Sequence, residues 1–302
     1  MLIPGDAAAN SGWVARLPAG VQPYLRLMRA DRPVGFWLLM WPCWWSTALA
    51  LPPTDADFWR LLGLFLLGSI VMRGAGCTWN DIVDKEIDAK VARTAGRPIA
   101  TGLVSRTQAF VFACVLSLIG LIVLLSLGNW FSVWLGTASL IPVALYPFAK
   151  RVTHWPQAVL GLTFNWGALM GWAAVYGDLA WPPVLLYLGC LFWTLGYDTI
   201  YAHMDKADDA IVGVKSTALK FGRASRLWIA LFYGLFLLCL AAALALTPTV
   251  GGSIATIFLL GAAGQLGIQV SRLDIDDPGV CLSLFKSNLW VGWLVFLGFV
   301  LG

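Results

Sequence analysis

Two stretches of this sequence gather oxygen ligands at helical spacing. The first reads Asn80-Asp81-Ile-Val-Asp84-Lys-Glu-Ile-Asp88, and the second Asp198-Thr-Ile-Tyr201-Ala-His203-Met-Asp205-Lys-Ala-Asp208-Asp209. At about 100° per residue, Asn80, Asp84 and Asp88 fall within an arc of roughly 80° if a helix runs through them, and Asp198, Asp205 and Asp209 within roughly 40°. Each set therefore shares one helix face. Carboxylates held this close repel one another, and each set follows a long apolar run where desolvation disfavours the charged form, so a cation is needed. Oxygen donors without Cys and with one His nearby suit Mg²⁺ better than Zn²⁺, and Mg²⁺ is commonly held by a few carboxylates together with phosphate oxygens. A diphosphate substrate meets that description. Arg93, Arg97, Lys206 and Lys215 follow the two clusters and supply contacts for phosphate oxygens that the metal does not reach. The competing account makes both stretches solvated loops neutralised by Lys85, Lys90 and Lys206. Two such stretches, each one step from an apolar run, weigh against it.

Polar residues inside apolar runs form the next layer. Arg73 precedes Asn80 by seven residues, two turns deeper on the same face, and a charge at that depth is costly enough to imply a function such as binding a substrate carboxylate. A structural pairing with an acid such as Asp198, or snorkelling, is the alternative. Tyr146 and Asn165 are weaker candidates, since such residues often hydrogen-bond between helices. Lys150 and Arg151 end an apolar run, where helix dipole and topology also favour cations. The Trp41-Pro42-Cys43-Trp44-Trp45 string suits an interfacial belt or a cavity wall that faces a cationic intermediate. His154 and His203 lack partners for a triad or a metal site and read as interfacial.

These residues need a scaffold. Of 302 residues, 59% are hydrophobic and 12% charged, with 17 Trp and a mean hydropathy of +0.78. That composition belongs to a membrane and excludes a water-soluble enzyme, a disordered chain and a disulfide scaffold. The net charge of +4 does not point to nucleic acid, because basic and acidic residues are interleaved. The six cysteines are never closer than 34 residues and act as small apolar fillers. Nine apolar segments, near 34–52, 61–80, 108–127, 130–149, 156–176, 182–202, 227–246, 249–268 and 285–302, approach the length that a bilayer needs. Pro42, Pro142 and Pro147 should kink the first and fourth. The apolar runs are continuous, which excludes a β-barrel.

The fold expected is all-α: a polytopic membrane protein with nine transmembrane helices in two four-helix-like halves around a central cavity, forming a single domain over 1–302. Residues 1–33, with Arg16, Arg26, Arg29 and Arg32 beside Asp6 and Asp31, form an interfacial lead-in, and 81–107 and 203–226 are cap loops. The first apolar run is too long for a signal segment and is expected to stay as a span, with a trimmed import segment left open. With the N-terminus cytoplasmic, all of the 20 Lys/Arg except Arg60 and Arg73 fall on that side. A shift of 120 residues superposes Asp88 on Asp208, Gly102 on Gly222, Ser105 on Ser225 and Arg106 on Arg226, which suggests an internal duplication.

The sequence resembles the UbiA superfamily of intramembrane aromatic prenyltransferases. The likeness lies in Asn80-Asp81-x-x-Asp84-x-x-x-Asp88 with Arg93-Thr-Ala-Gly-Arg97-Pro98, and in Tyr197-Asp198-Thr-x-Tyr201-Ala-x-x-Asp205-x-x-x-Asp209 with Gly213-x-Lys215-Ser216-Thr217. Asp31-Arg32-Pro33-x-Gly35, Arg73-x-Ala75-Gly76-Cys77 and Tyr146-Pro147-Phe148-x-Lys150-Arg151 are similar to the 4-hydroxybenzoate polyprenyltransferase branch. The resemblance implies transfer of a polyprenyl group from its diphosphate to the ring carbon ortho to the hydroxyl of 4-hydroxybenzoate, in ubiquinone biosynthesis. It implies Mg²⁺ held by Asn80, Asp81, Asp84, Asp88, Asp205 and Asp209, with Asp84 and Asp205 essential and Asp198 orienting or deprotonating the acceptor. Arg32, Arg73 or Arg151 would bind the acceptor carboxylate, and Arg97, Tyr146, Lys150, Tyr201 and Lys215 would complete the substrate contacts. Asp208-Asp209-Ala-Ile-Val-Gly213 lacks the basic residue that many members carry before the glycine, so phosphate contact there rests on Lys215 or is weaker. The expected setting is the bacterial inner membrane, or the mitochondrial inner membrane in a eukaryote, with no obligate protein partner. The competing functions are a sister enzyme with another aromatic acceptor and a cation-coupled transporter, whose carboxylates should lie near the midplane and not at the rim.

Overall fold

The computed structural model describes residues 12–91, 94–247, 250 and 252–302, without the side chains of Asp208 and Val212, and all its regular elements are helical. Arg93 and Asp6 lie outside the described residues. A 3-10 turn at Trp13–Arg16 and α1 (Gln22–Leu27) form the lead-in. There follow α2 (Val34–Ala50), α3 (Ala56–Asp88), α4 (Arg106–Leu125), α5 (Trp130–Ala138), α6 (Leu140–Val152), α7 (Pro156–Phe164) and α8 (Gly167–Tyr176). The second half contains α9 (Trp181–Ala202), α10 (Lys206–Val212), α11 (Thr217–Phe221), α12 (Ser225–Ala245), α13 (Ser253–Arg272), α14 (Pro278–Lys286) and α15 (Asn288–Leu301).

Local chemistry sets many of these boundaries. Asp55, Ser105, Asn129, Ser216 and Asp277 cap α3, α4, α5, α11 and α14 by accepting backbone N–H bonds, and Ser105 forms a reciprocal capping box with Gln108. The fourth apolar segment breaks at Ser139, three residues before Pro142, whose ring is incompatible with a helical carbonyl at Ala138. Pro42, by contrast, sits inside an uninterrupted α2. The fifth segment breaks at Asn165, whose amide donates to Gly161 O, Cys190 O and Thr194 Oγ1 and so pins the junction of α7 and α8 to α9.

Among the described residues, eight helical stretches of 18 residues or more are apolar enough to cross a membrane. The expected first span, α2, has 17 residues, roughly 26 Å at 1.5 Å per residue and shorter than a bilayer core. It is well enclosed, with Trp41 and Trp45 fully buried. Glycine allows its close contact with α8: a Cβ on Gly171 would lie 2.6 Å from Cys43 O. The core runs from α2 through α9 to α12, where Trp45, Trp193 and Phe236 stack. α4, α5 and α6 bury few side chains and expose Leu118, Ile122, Trp134 and Ile141, a surface suited to hydrocarbon.

The 120-residue shift has a structural counterpart. Ser105 caps α4 and Ser225 begins α12, while Gly102 (φ 79°) and Gly222 (φ 49°) both have positive φ just before them. α3 runs as one helix of 33 residues through Asp88, whereas the equivalent stretch is divided between α9 and α10.

Candidate active site

A cavity of about 1290 Å³ collects nearly all the residues that the sequence singles out. Asn80, Asp81 and Asp88 reach it from α3, Asp198 and Tyr201 from α9, and Asp205 and Asp209 from either side of the α10 start. Arg32, Arg73, Arg97, Tyr146, Lys150 and Lys215 also border it; Asp84 and Arg151 do not. Away from the acids the walls turn apolar, with Met72, Leu121, Leu124 and Val143. The far end meets a packed cluster containing Cys43, Phe65, Leu127 and Met170.

The first acidic segment is neutralised largely by the protein itself. Asp84, with no exposed surface, lies 2.6 Å from Lys150 Nζ and accepts a 3.2 Å bond from Arg151 Nη2. Both oxygens of Asp81 accept from Arg29, at 2.8 and 2.9 Å, and Oδ1 also accepts from Arg97 at 3.0 Å. The same Arg97 nitrogen donates to Asp88 at 2.9 Å. Burial opposes the charge on Arg97, but Asp81, Asp88 and Tyr201 raise its proton affinity above the ordinary value. Asp81, expected as a metal ligand, borders the cavity and, through Arg29 and Arg97, ties the lead-in to α3 and the cap. Asp84, expected on the cavity face beside Asn80 and Asp88, turns towards α6. Arg29 itself, with φ 59°, borders the cavity although its sequence position in the lead-in gives no sign of it.

The second segment sits on a joint. α9 ends at Ala202, a turn carries His203 and Met204, and Asp205 precedes α10. Lys206, expected to face phosphates, instead points away to Ile275 O at 2.6 Å and Asp276 Oδ1 at 2.5 Å. Lys215 borders the cavity, but its Nζ donates to Val152 O at 2.9 Å and its amide to Lys150 O at 2.9 Å. His203, just past the end of α9, is buried: Nε2 is 2.8 Å from Ser225 Oγ, and burial, reinforced by Lys206, pushes its pKa down to about 4. It is neutral in use and tethers the joint to α12.

Arg73 is the deep cation. Its Cζ stands 4.9 Å from the Phe164 ring centroid, its Nε is buried without a hydrogen-bond partner, and no carboxylate lies within ion-pair distance among the described residues. The structural pairing with Asp198 is therefore absent, although Arg73 and Asp205 both lie in electrostatic range of that carboxylate. Arg32 is paired with Asp31 at 3.2 Å. Tyr201 packs on Phe285, with centroids 4.6 Å apart.

The donor set fits Mg²⁺ in kind, since carboxylate and amide oxygens approach one cavity from two sides. Among the described residues no three acids, His or Cys gather closely enough to hold a metal alone. That geometry suits an ion completed by phosphate oxygens.

Comparison with known proteins places this architecture. The 4-hydroxybenzoate polyprenyltransferase, mitochondrial, of Aedes aegypti is 48% identical over 282 residues, covering 93% of this chain and 63% of that protein. The human protein of the same name is 49% identical, covering 94% of this chain and 76% of its own length. Among solved structures, the apo UbiA homologue of Aeropyrum pernix shares the fold at 24% identity and a TM-score of 0.74, covering 88% of this chain and 97% of that one. A UbiA homologue from Archaeoglobus fulgidus bound to GPP and Mg²⁺ shares it at 18% identity and a TM-score of 0.66, covering 91% and 99%. The UbiA prenyltransferase family matches residues 39–301, and the chain belongs to that family.

Proposed function

We propose that this membrane protein transfers a polyprenyl group from polyprenyl diphosphate to the ring carbon ortho to the hydroxyl of 4-hydroxybenzoate, releasing diphosphate, as a step of ubiquinone biosynthesis. The observation that carries the proposal is one continuous cavity with acids from both segments at one end and an apolar bore beyond. The curated relatives carry that activity in their names, and the shared mitochondrial label favours the mitochondrial inner membrane over the bacterial one. The protein acts as a single domain with its N-terminus and cap on the cytoplasmic or matrix side, and the bilayer and two substrates are its partners.

In this reading Asn80, Asp88, Asp205 and Asp209 hold Mg²⁺, which supplies charge neutralisation that makes diphosphate a better leaving group. Lys150 and Arg97 border the same space and offer further cationic contacts to its oxygens. Asp84 holds Lys150 and Arg151 in place from behind. The donor's tail lies along Met72, Leu121 and Leu124, which exclude water while the allylic C–O bond breaks. The ring carbon then bonds to the allylic carbon, and the ring proton is lost. Asp198, fixed on α9, is placed to accept it, while Tyr146 borders the acceptor. Arg73 binds the acceptor carboxylate, because Arg32 and Arg151 are already engaged with Asp31 and Asp84.

The test is transfer of a labelled prenyl chain in detergent, without an ion gradient, to a panel of aromatic acceptors. Mg²⁺-dependent product with 4-hydroxybenzoate is expected. Product with a different acceptor alone would reassign the substrate, and no transfer to any acceptor would sink the enzyme reading.

A further inference from the structure

Gly35 is the second residue of α2, where alanine would stabilise the helix more. Its surroundings supply a reason for glycine. A Cβ on Gly35 would stand 2.7 Å from Arg73 Nε, 2.9 Å from Nη2 and 3.1 Å from Cζ, so the guanidinium lies directly against the α2 backbone. The same guanidinium meets the Phe164 ring at 4.9 Å. It makes no hydrogen bond or ion pair with any described residue, and its Nε is sealed from solvent. The surrounding protein thus fixes the Arg73 head by shape.

We propose that Gly35 and Phe164 are positioning residues that form a flat slot for the Arg73 guanidinium and aim its remaining N–H groups at the acceptor carboxylate. Three helices contribute: α2 through a bare backbone, α3 through Arg73 itself, and α7 through Phe164. Phe164 is held because the next residue, Asn165, donates its amide to Gly161 O, Cys190 O and Thr194 Oγ1. A guanidinium recognises a carboxylate by two parallel N–H bonds, and that fork works only when its plane is fixed. Contact with an aromatic face on one side and bare backbone on the other restrains the guanidinium without consuming donors. The slot thereby selects acceptors bearing a carboxylate and depends on the assignment of Arg73 to that group.

The experiment measures KM for 4-hydroxybenzoate, KM for the prenyl diphosphate and kcat for Arg73→Gln, Gly35→Ala and the double variant, each with its melting temperature in detergent. Arg73→Gln is expected to raise the acceptor KM by roughly 10- to 100-fold, as loss of a charged hydrogen-bond pair does. Gly35→Ala is expected to raise it by roughly tenfold, with the donor KM and melting temperature unchanged. Added to Arg73→Gln it should do nothing more, because no guanidinium remains to displace. An unchanged acceptor KM in Arg73→Gln would remove the underlying assignment of Arg73. A rise in Arg73→Gln without one in Gly35→Ala, or additive effects in the double variant, would overturn the slot. Should Gly35→Ala not fold, Phe164→Leu takes its place: it should raise the acceptor KM and Phe164→Tyr should restore it, and equal behaviour of the two would overturn the slot.

Discussion

The two acidic segments have matching sequence spacing and different mechanics. Asn80 to Asp88 lie on one unbroken helix, and Arg29, Arg97, Lys150 and Arg151 converge on its acids from three other parts of the chain. Asp198 to Asp209 span a helix end, a turn and a second short helix, and the turn is steadied from outside by Lys206 on the 275–276 backbone and side chain and by His203 on Ser225. Arg226 adds a bond to Leu273 O at 2.7 Å. The first segment is thus a rigid wall with its charge largely compensated, and the second is a mounted arm. Duplication of a ligand pattern does not entail duplication of the way it is supported.

Removing one carboxylate from each segment is the strongest test of this contrast. Asp84→Ala and Asp205→Ala should each lower turnover by on the order of 10²–10³-fold, the loss usual for removal of transition-state electrostatics. Asp84→Ala should in addition lower the melting temperature more, because Asp84 is fully buried against two cations whereas Asp205 borders the cavity. Equal losses of stability would break the comparison. Asp81→Asn tests the wall alone: it disrupts the pairs with Arg29 and Arg97 and should cost about 3–5 kcal/mol, read by denaturant unfolding in detergent.

A third measurement addresses how the two segments join. Mg²⁺ and inorganic diphosphate together should stabilise the protein by about 2.7 kcal/mol at a hundredfold excess over Kd, with little from either alone, as an ion site completed by phosphate requires. Chelation should abolish the gain, and Asp205→Ala should abolish it too. Full stabilisation by Mg²⁺ alone would point to a prebuilt cage. The smallest effect belongs to the mount: Lys206→Met should raise the donor KM by roughly threefold and leave kcat and the acceptor KM unchanged, since Lys206 acts only through its hold on the arm.

The sequence made the helical class, the membrane composition and the shared cavity readable, because long apolar runs and acids at three- and four-residue intervals are local patterns. It also indicated that α3 would carry Asn80 and Asp88 on one face. It did not reveal that Asp84 turns towards Lys150 and Arg151, because that choice is made by α6, more than 60 residues away. Arg29 was hidden for the same reason, its partner Asp81 lying 52 residues on. Lys206 follows the acids in sequence but turns to Ile275 O and the Asp276 carboxylate, some 70 residues on, whereas Lys215 borders the cavity while its Nζ bonds Val152 O. Phe164 carried no signal in the sequence, and Gly35 none beyond its place in Asp31-Arg32-Pro33-x-Gly35. The first apolar run ends as a helix at Ala50, because Leu51 turns to extended backbone, which leaves α2 at the short end of spanning length.

Lys215 donates its amide to the carbonyl of Lys150, whose side chain meets Asp84, and so the loop of one acidic segment is fastened to the counter-charge of the other. Such a fastening works as a crossbar between two leaves of a door. Because the crossbar is a backbone N–H, Lys215→Ala should leave it in place, whereas Lys215→Pro removes the donor and should be non-additive with a substitution at Asp84.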